Sequence, residues 1–171
     1  PRVVDYADLG PRIDAAVFPG VQGGPHDNQI AAVCTALAEA ATPEFRHYQR
    51  RVRTNARHLA AALVERGHTI VTGGTDNHIV LWNVLASIGV TGSKLEYLLE
   101  RCDVTVNKNV VPGDTNALAP GGVRLGTCAL TTRGFGDDDF ERVAELLHRG
   151  GTVARRAQER ASSKRLDAFR A

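Results

Sequence analysis

Three short stretches of this 171-residue chain combine residue types that can do chemistry. The first is Arg124, set inside the apolar run Val123-Arg124-Leu125 beside Gly126. A guanidinium among apolar neighbours calls for an anionic partner, and a carboxylate held by two parallel N–H donors is its best geometric match. An internal ion pair or a surface-facing strand position would account for the same pattern. The second is Asn107-Lys108-Asn109. Its side-chain amides both donate and accept, which suits a ring with amide-like edges; an Asn-capped turn is the equal alternative. The third is the loop from Phe18 to Pro25, which contains Gly23 and Gly24. Successive backbone N–H groups before a helix N-terminus can cradle a phosphate. The loop matches neither GxxxxGK[ST] nor GxGxxG, and a plain turn explains it as well.

Other chemistries find little support. Histidines stand at positions 26, 47, 58, 68, 78 and 148, none with the spacing of metal ligands, so no metal site is expected. His78, opening a strand after a turn, reads as structural. Cys34, Cys102 and Cys128 are odd in number and far apart, which argues against a disulfide framework and for a reducing compartment. Cys34 and Cys102 are expected to pack as small apolar residues. The net charge of +2 gives no case for nucleic acid, and no apolar run approaches the roughly 20 residues of a membrane span. No signal peptide opens the chain, so secretion is not expected. The chain begins at Pro1 and contains no Met, and so reads as a piece of a longer protein.

The elements that must position these groups follow from periodicity. Asp27 is expected to cap a helix carrying Ile30, Val33, Cys34 and Leu37 on one stripe. Thr42-Pro43 starts a second helix whose buried face is Phe45, Tyr48, Val52, Ala56, Leu59 and Leu63, closed by Gly67. Strands are expected at 69–72, 78–84, 104–106 and 123–126, with a helix from Thr91 or Ser93 that turns Leu95, Leu98, Leu99 and Cys102 inward. Residues 107–122 read as a long polar loop. Asp137 caps a last helix, with Phe140, Val143, Ala144 and Leu147 inward, ended by Gly150. A basic tail over 151–171 reads as a solvated helix face. The fold class expected is α/β, one small sheet covered by helices. Residues 1–42 read as the end of another domain, 43–150 as the main small domain and 151–171 as the tail.

The same stretches resemble a known family. Ala16-Val17-Phe18-Pro19-Gly20-Val21-Gln22-Gly23-Gly24-Pro25-His26 is similar to a segment of the eukaryotic-type serine hydroxymethyltransferases. Thr72 to His78, Val106 to Asn109, and Gly122 to Gly134 match three further family segments in order and spacing. The resemblance implies the C-terminal small domain of a fold-type-I pyridoxal-phosphate transferase, preceded by the end of its large domain. It implies interconversion of serine and tetrahydrofolate with glycine and methylenetetrahydrofolate. On matching positions, Arg124 would hold the amino-acid carboxylate, Asn109 would contact folate, and the Gly23 and Gly24 backbone would reach the phosphate of pyridoxal phosphate. A homodimer or homotetramer in a cytoplasmic or organellar compartment is implied as well.

Some positions depart from the family pattern. Cys128 stands where proline is usual, Gly121 where serine is common, and Leu85 where an arginine is usual. The family's cofactor lysine follows a threonine-rich run with a histidine. Lys94, Lys108 and Lys164 are the only lysines here and none has that context, so no catalytic residue is expected in this chain and the chain alone is expected to be inactive. The alternative from another class is a non-catalytic binding or assembly module.

Overall fold

The computed structural model describes residues 9–161 and Phe169. Lys164, Arg165, Asp167 and Arg170 of the basic tail, and residues 1–8, lie outside the described residues. The chain divides into two compact units, Pro1–Thr42 and Pro43–Ala171.

The first unit holds two helices, α1 (Leu9–Ala15) and α2 (Asp27–Ala40). Between them the chain makes a wide turn over Ala16–Val21, broken by the extended backbone of Phe18. The Gln22 N–H closes it on the Val17 carbonyl at 2.7 Å. Asp27 does not cap α2. The cap position is His26, whose carbonyl accepts from the N–H groups of Gln29 and Ile30, while Asp27 lies in the first turn. A carboxylate there still complements the helix dipole. The stripe Ile30, Val33 and Leu37 forms at helical spacing but is exposed, and Cys34 on the same helix is exposed rather than packed.

The second unit is built on a four-stranded antiparallel sheet of order β1-β2-β4-β3, with β1 Thr69–Ile70, β2 Ile79–Asn83, β3 Asn107–Asn109 and β4 Gly122–Gly126. Side chains alternate across a sheet, so each strand gives one set of residues to each face. Val80, Trp82, Val123 and Leu125 are buried on one face. Helices α3 (Pro43–Glu65), α5 (Gly92–Glu100) and α7 (Asp137–Arg160) cover it, adding Ala56, Leu59, Leu63, Leu95, Leu99, Phe140 and Leu147 to one core. The α/β class expected from sequence is what forms.

Several boundaries differ from the sequence reading, each for a physical reason. Phe45 is 38% exposed, and the buried face of α3 starts only at Val52 and includes Asn55. The first strand stops after Ile70 because Thr72 takes a left-handed conformation, φ 63°. The Thr72 hydroxyl donates to the Val71 carbonyl at 2.6 Å there. Val104 and Val106 pack against the core without joining the ladder, and the third strand is Asn107–Asn109. Cys102 is exposed because α5 ends at Glu100, so helical spacing no longer carries it inward. Gly150 does not stop α7. Gly150 and Gly151 lie inside it, where the helix runs close to its neighbours: a Cβ at Gly150 would stand 2.6 Å from Leu99 Cδ2, and one at Gly151 would stand 3.3 Å from Ile88 Cδ1. The close of α3 follows expectation. Gly67, at φ +82°, lets the His68 N–H return to the Leu63 carbonyl at 3.0 Å.

Two short helices went unanticipated, α4 (Val84–Ile88) and α6 (Cys128–Thr132). The Asn83 side chain caps α4 by accepting from the Ala86 N–H. Buried polar bonds fix α6 onto α3: Thr127 Oγ1 donates to the Val52 carbonyl at 3.0 Å, and Asn55 Nδ2 donates to Thr131 Oγ1 at 2.9 Å. These bonds anchor the segment that directly follows β4.

A histidine pair closes the other end of this core. His68, 6% exposed, lies 3.0 Å from His148, Nε2 to Nδ1, with its ring edge-on to Trp82. Burial, then His148 and Arg66, pushes the His68 pKa down to about 4. The unfolded chain takes up the proton near pH ~6.5, which the folded state resists down to the lowered value. The stability contributed by neutral His68 is therefore complete above ~6.5 and falls as the pH drops from ~6.5 toward ~4. Urea unfolding of the chain is expected to lose about 2 kcal/mol between pH ~6.5 and ~4.5. In His68→Gln, which keeps a hydrogen-bonding group but does not titrate, that loss is expected to shrink by more than half. An unchanged slope in the variant would assign the acid sensitivity to other groups.

Candidate functional site

Among the described residues of this unit, α3, α5 and α7 pack on the buried face of the sheet. On the other face stand the alternate residues of three strands, and the register sets their order. Arg124 of β4 pairs with Leu81 of β2 on one side and with Asn107 of β3 on the other. One row further, Gly122 lies between Asn83 and Asn109. Arg124, Asn107 and Asn109 thus share a face, opposite the buried Val123 and Leu125. Gly122 adds no side chain between Asn83 and Asn109.

Arg124 is exposed, in a strand flanked by other strands on both sides. Among the described residues it makes no ion pair. Alternation turns its side chain away from the buried Val123 and Leu125, toward the open face. Asn109 is half-buried, and its Nδ2 donates to the Val110 carbonyl at 2.8 Å. That bond fixes the amide plane and leaves the side-chain oxygen to accept. The turn alternative for Asn107-Lys108-Asn109 is replaced by a strand.

Past β3 the chain forms the loop 110–121, closed at its neck by one carboxylate oxygen. Asp114 Oδ2 accepts from the Val111 N–H at 2.9 Å and from the Gly121 N–H at 2.8 Å. The Gly121 carbonyl accepts from the Leu85 N–H at 2.9 Å, which ties the neck to α4. Sequence reading did not single out Asp114, although a PGD turn sequence was available as a signal.

Gly23 and Gly24 belong to the first unit, in the exposed loop before α2. A Cβ on either would meet nothing within 4 Å. Neither N–H makes a backbone hydrogen bond among the described residues. With Pro25, His26, Gln29 and Ile30 they line an open concavity beside the α2 N-terminus. Backbone donors, open space and a helix N-terminus are what a phosphate requires.

The two described lysines are committed elsewhere. Lys94 is 3% exposed, donates to Gln158 Oε1 and has its ammonium 5.5 Å from the centre of the Phe169 ring. Lys108 Nζ pairs with Glu96 Oε2 at 2.8 Å. Among the described residues no group of three or more metal-ligating side chains occurs, and no helix is long and apolar enough to cross a membrane. The His78 side chain is exposed, and its carbonyl accepts from the Thr127 N–H.

The sequence profile of the serine hydroxymethyltransferase family matches residues 3–147. Serine hydroxymethyltransferase 5 of Arabidopsis thaliana is 48% identical over 152 residues, which are 89% of this chain and 32% of the plant protein. The cytosolic serine hydroxymethyltransferase of Oryctolagus cuniculus is 56% identical over 138 residues, 81% of this chain and 28% of that protein. A putative mitochondrial serine hydroxymethyltransferase of Neurospora crassa is 54% identical over 155 residues, 87% and 28% respectively. The chain spans about a third of the length of these curated relatives.

Proposed function

Because this chain belongs to the serine hydroxymethyltransferase family, we propose that it supplies the substrate-binding sheet of an enzyme that interconverts serine and tetrahydrofolate with glycine and methylenetetrahydrofolate. The observation that carries this reading is the shared open face of Arg124, Asn107 and Asn109, where Arg124 has no acidic partner among the described residues. Arg124 binds the amino-acid carboxylate in a two-point fork, which fixes the distance and the plane of the substrate. Asn109 presents its side-chain oxygen to an N–H edge of the folate ring. The Gly23 and Gly24 N–H groups bind the phosphate of pyridoxal phosphate at the α2 N-terminus. When bound, that cofactor supplies an electron sink for the carbon from which the hydroxymethyl group departs. The family's cofactor and oligomeric state, a homodimer or homotetramer, enter on this reading. The named relatives include cytosolic and mitochondrial proteins, and either compartment suits it.

The donors of this chain fit the phosphate end of the cofactor, while its described lysines do not fit the aldehyde. Lys94 is buried under α7 and Lys108 is ion-paired. Treating the chain with pyridoxal phosphate and then borohydride is expected to leave both without stoichiometric label on peptide mapping. Full labelling of either would reassign the cofactor chemistry to this chain. The transfer activity is tested by placing the chain in the matching segment of the rabbit cytosolic relative. Retained serine- and tetrahydrofolate-dependent glycine formation is the expected result. A folded chimera with no activity would favour the binding-module alternative.

A further inference from the structure

β3 is a three-residue edge strand, and one carboxylate holds it from outside the sheet. Glu96 of α5 accepts twice from the same residue: Oε1 takes the Lys108 backbone N–H at 2.9 Å, and Oε2 takes the Lys108 ammonium at 2.8 Å. The central N–H of β3 would otherwise be an open ladder position, of the kind an edge strand leaves unpaired. The Glu96 carboxylate stands where a fifth strand would place an accepting carbonyl. Partial burial pushes the Glu96 carboxyl up, but the ammonium and backbone N–H of Lys108 outweigh it, so the group stays ionised below its ordinary range.

We propose that Glu96 is a positioning residue for the folate-facing amides, acting through Lys108 on Asn107 and Asn109. This rests on the reading of the open face given above. Alternation sends Lys108 toward the helices and its two neighbours toward the open face, so the rotation of the whole strand is set by where Lys108 is held. β3 is too short to fix that rotation by its own ladder, since among the described strands it pairs with β4 alone. Arg124 sits in β4, which is paired on both sides and does not depend on this clamp. The two halves of the site therefore respond differently to loss of Glu96.

Glu96→Ala and Glu96→Gln separate the possibilities. In the chain itself, hydrogen exchange at Lys108 N–H is expected to accelerate about tenfold or more in Glu96→Ala and less in Glu96→Gln, which retains an acceptor oxygen. The melting temperature should change little, because the pair is partly exposed. In the active chimera, Glu96→Ala is expected to raise the KM for tetrahydrofolate about tenfold while the KM for serine stays within about twofold, with Glu96→Gln restoring part of the loss. Equal changes in both constants, or no change in either, would overturn the positioning role. If the chimera has no transferase activity at all, the functional reading fails, and the exchange measurement still decides whether Glu96 holds β3.

Discussion

Arg124→Lys is expected to lower kcat/KM for serine by at least about a hundredfold in the active chimera, with the melting temperature and the cofactor content nearly unchanged. Losing a charged hydrogen bond to substrate costs about 1.5–3 kcal/mol, or roughly 10- to 150-fold. A lysine keeps the charge but offers a single mobile point in place of a planar fork, so the carboxylate plane is lost as well. Misorientation then adds to the loss in the chemical step. Folding should tolerate the change, because Arg124 is exposed and bonds to no described acid. If Arg124 were a structural residue instead, serine kinetics would be unaffected and the melting temperature would fall. Measuring both on one variant separates the two roles.

The outward placement of Arg124 in its strand was legible in the sequence because the signal is local. An arginine between Val123 and Leu125 is an anomaly in an apolar strand, and alternation alone turns it away from the core. The sequence reads Asn107 and Asn109 as the start of a loop, and they form a strand. Val104-Thr105-Val106 has the β-branched composition, yet the ladder forms three residues later, where β4 and Glu96 supply the hydrogen bonds. Propensity describes fit to a half-buried surface and does not locate the partner strand. The stop assigned to Gly150 failed for a related reason. A glycine ends a helix when the backbone must turn, whereas here it lets α7 pass Leu99 at close range. The His68–His148 pair and the Asn55–Thr131 bond each join residues more than seventy positions apart, and nothing in the local pattern announces them. The motif segments identified the family without resolving any of these points.

Gly92 shows the same limit, and it yields the largest stability effect expected in this chain. Helix propensity alone predicts that Gly92→Ala, at the first position of α5, should be neutral or stabilising by up to about 1 kcal/mol. The packing predicts the opposite sign. A Cβ at Gly92 would overlap the Gly122 carbonyl oxygen and would stand 2.8 Å from the Gly122 carbonyl carbon and 3.1 Å from the Pro120 oxygen. All three atoms are backbone, so no side chain can swing aside. The Gly92 N–H also donates to the Pro120 carbonyl at 2.8 Å, which holds the helix start against the loop neck. Relief requires α5 to move off the sheet, which breaks that bond and lifts Leu95 and Leu99 out of the core. Overpacking against a rigid wall costs about 3 kcal/mol, the upper end of its usual range. Gly126→Ala is the control: its Cβ would meet nothing within 4 Å, so a change within about 0.5 kcal/mol is expected. Urea unfolding of the two variants reads the difference, and a Gly92→Ala chain as stable as the parent would refute the close contact. The displacement should also reach the site. α5 carries Glu96, so pushing its first turn outward withdraws the carboxylate from Lys108, and amide exchange in β3 should rise in Gly92→Ala even where the chain remains folded.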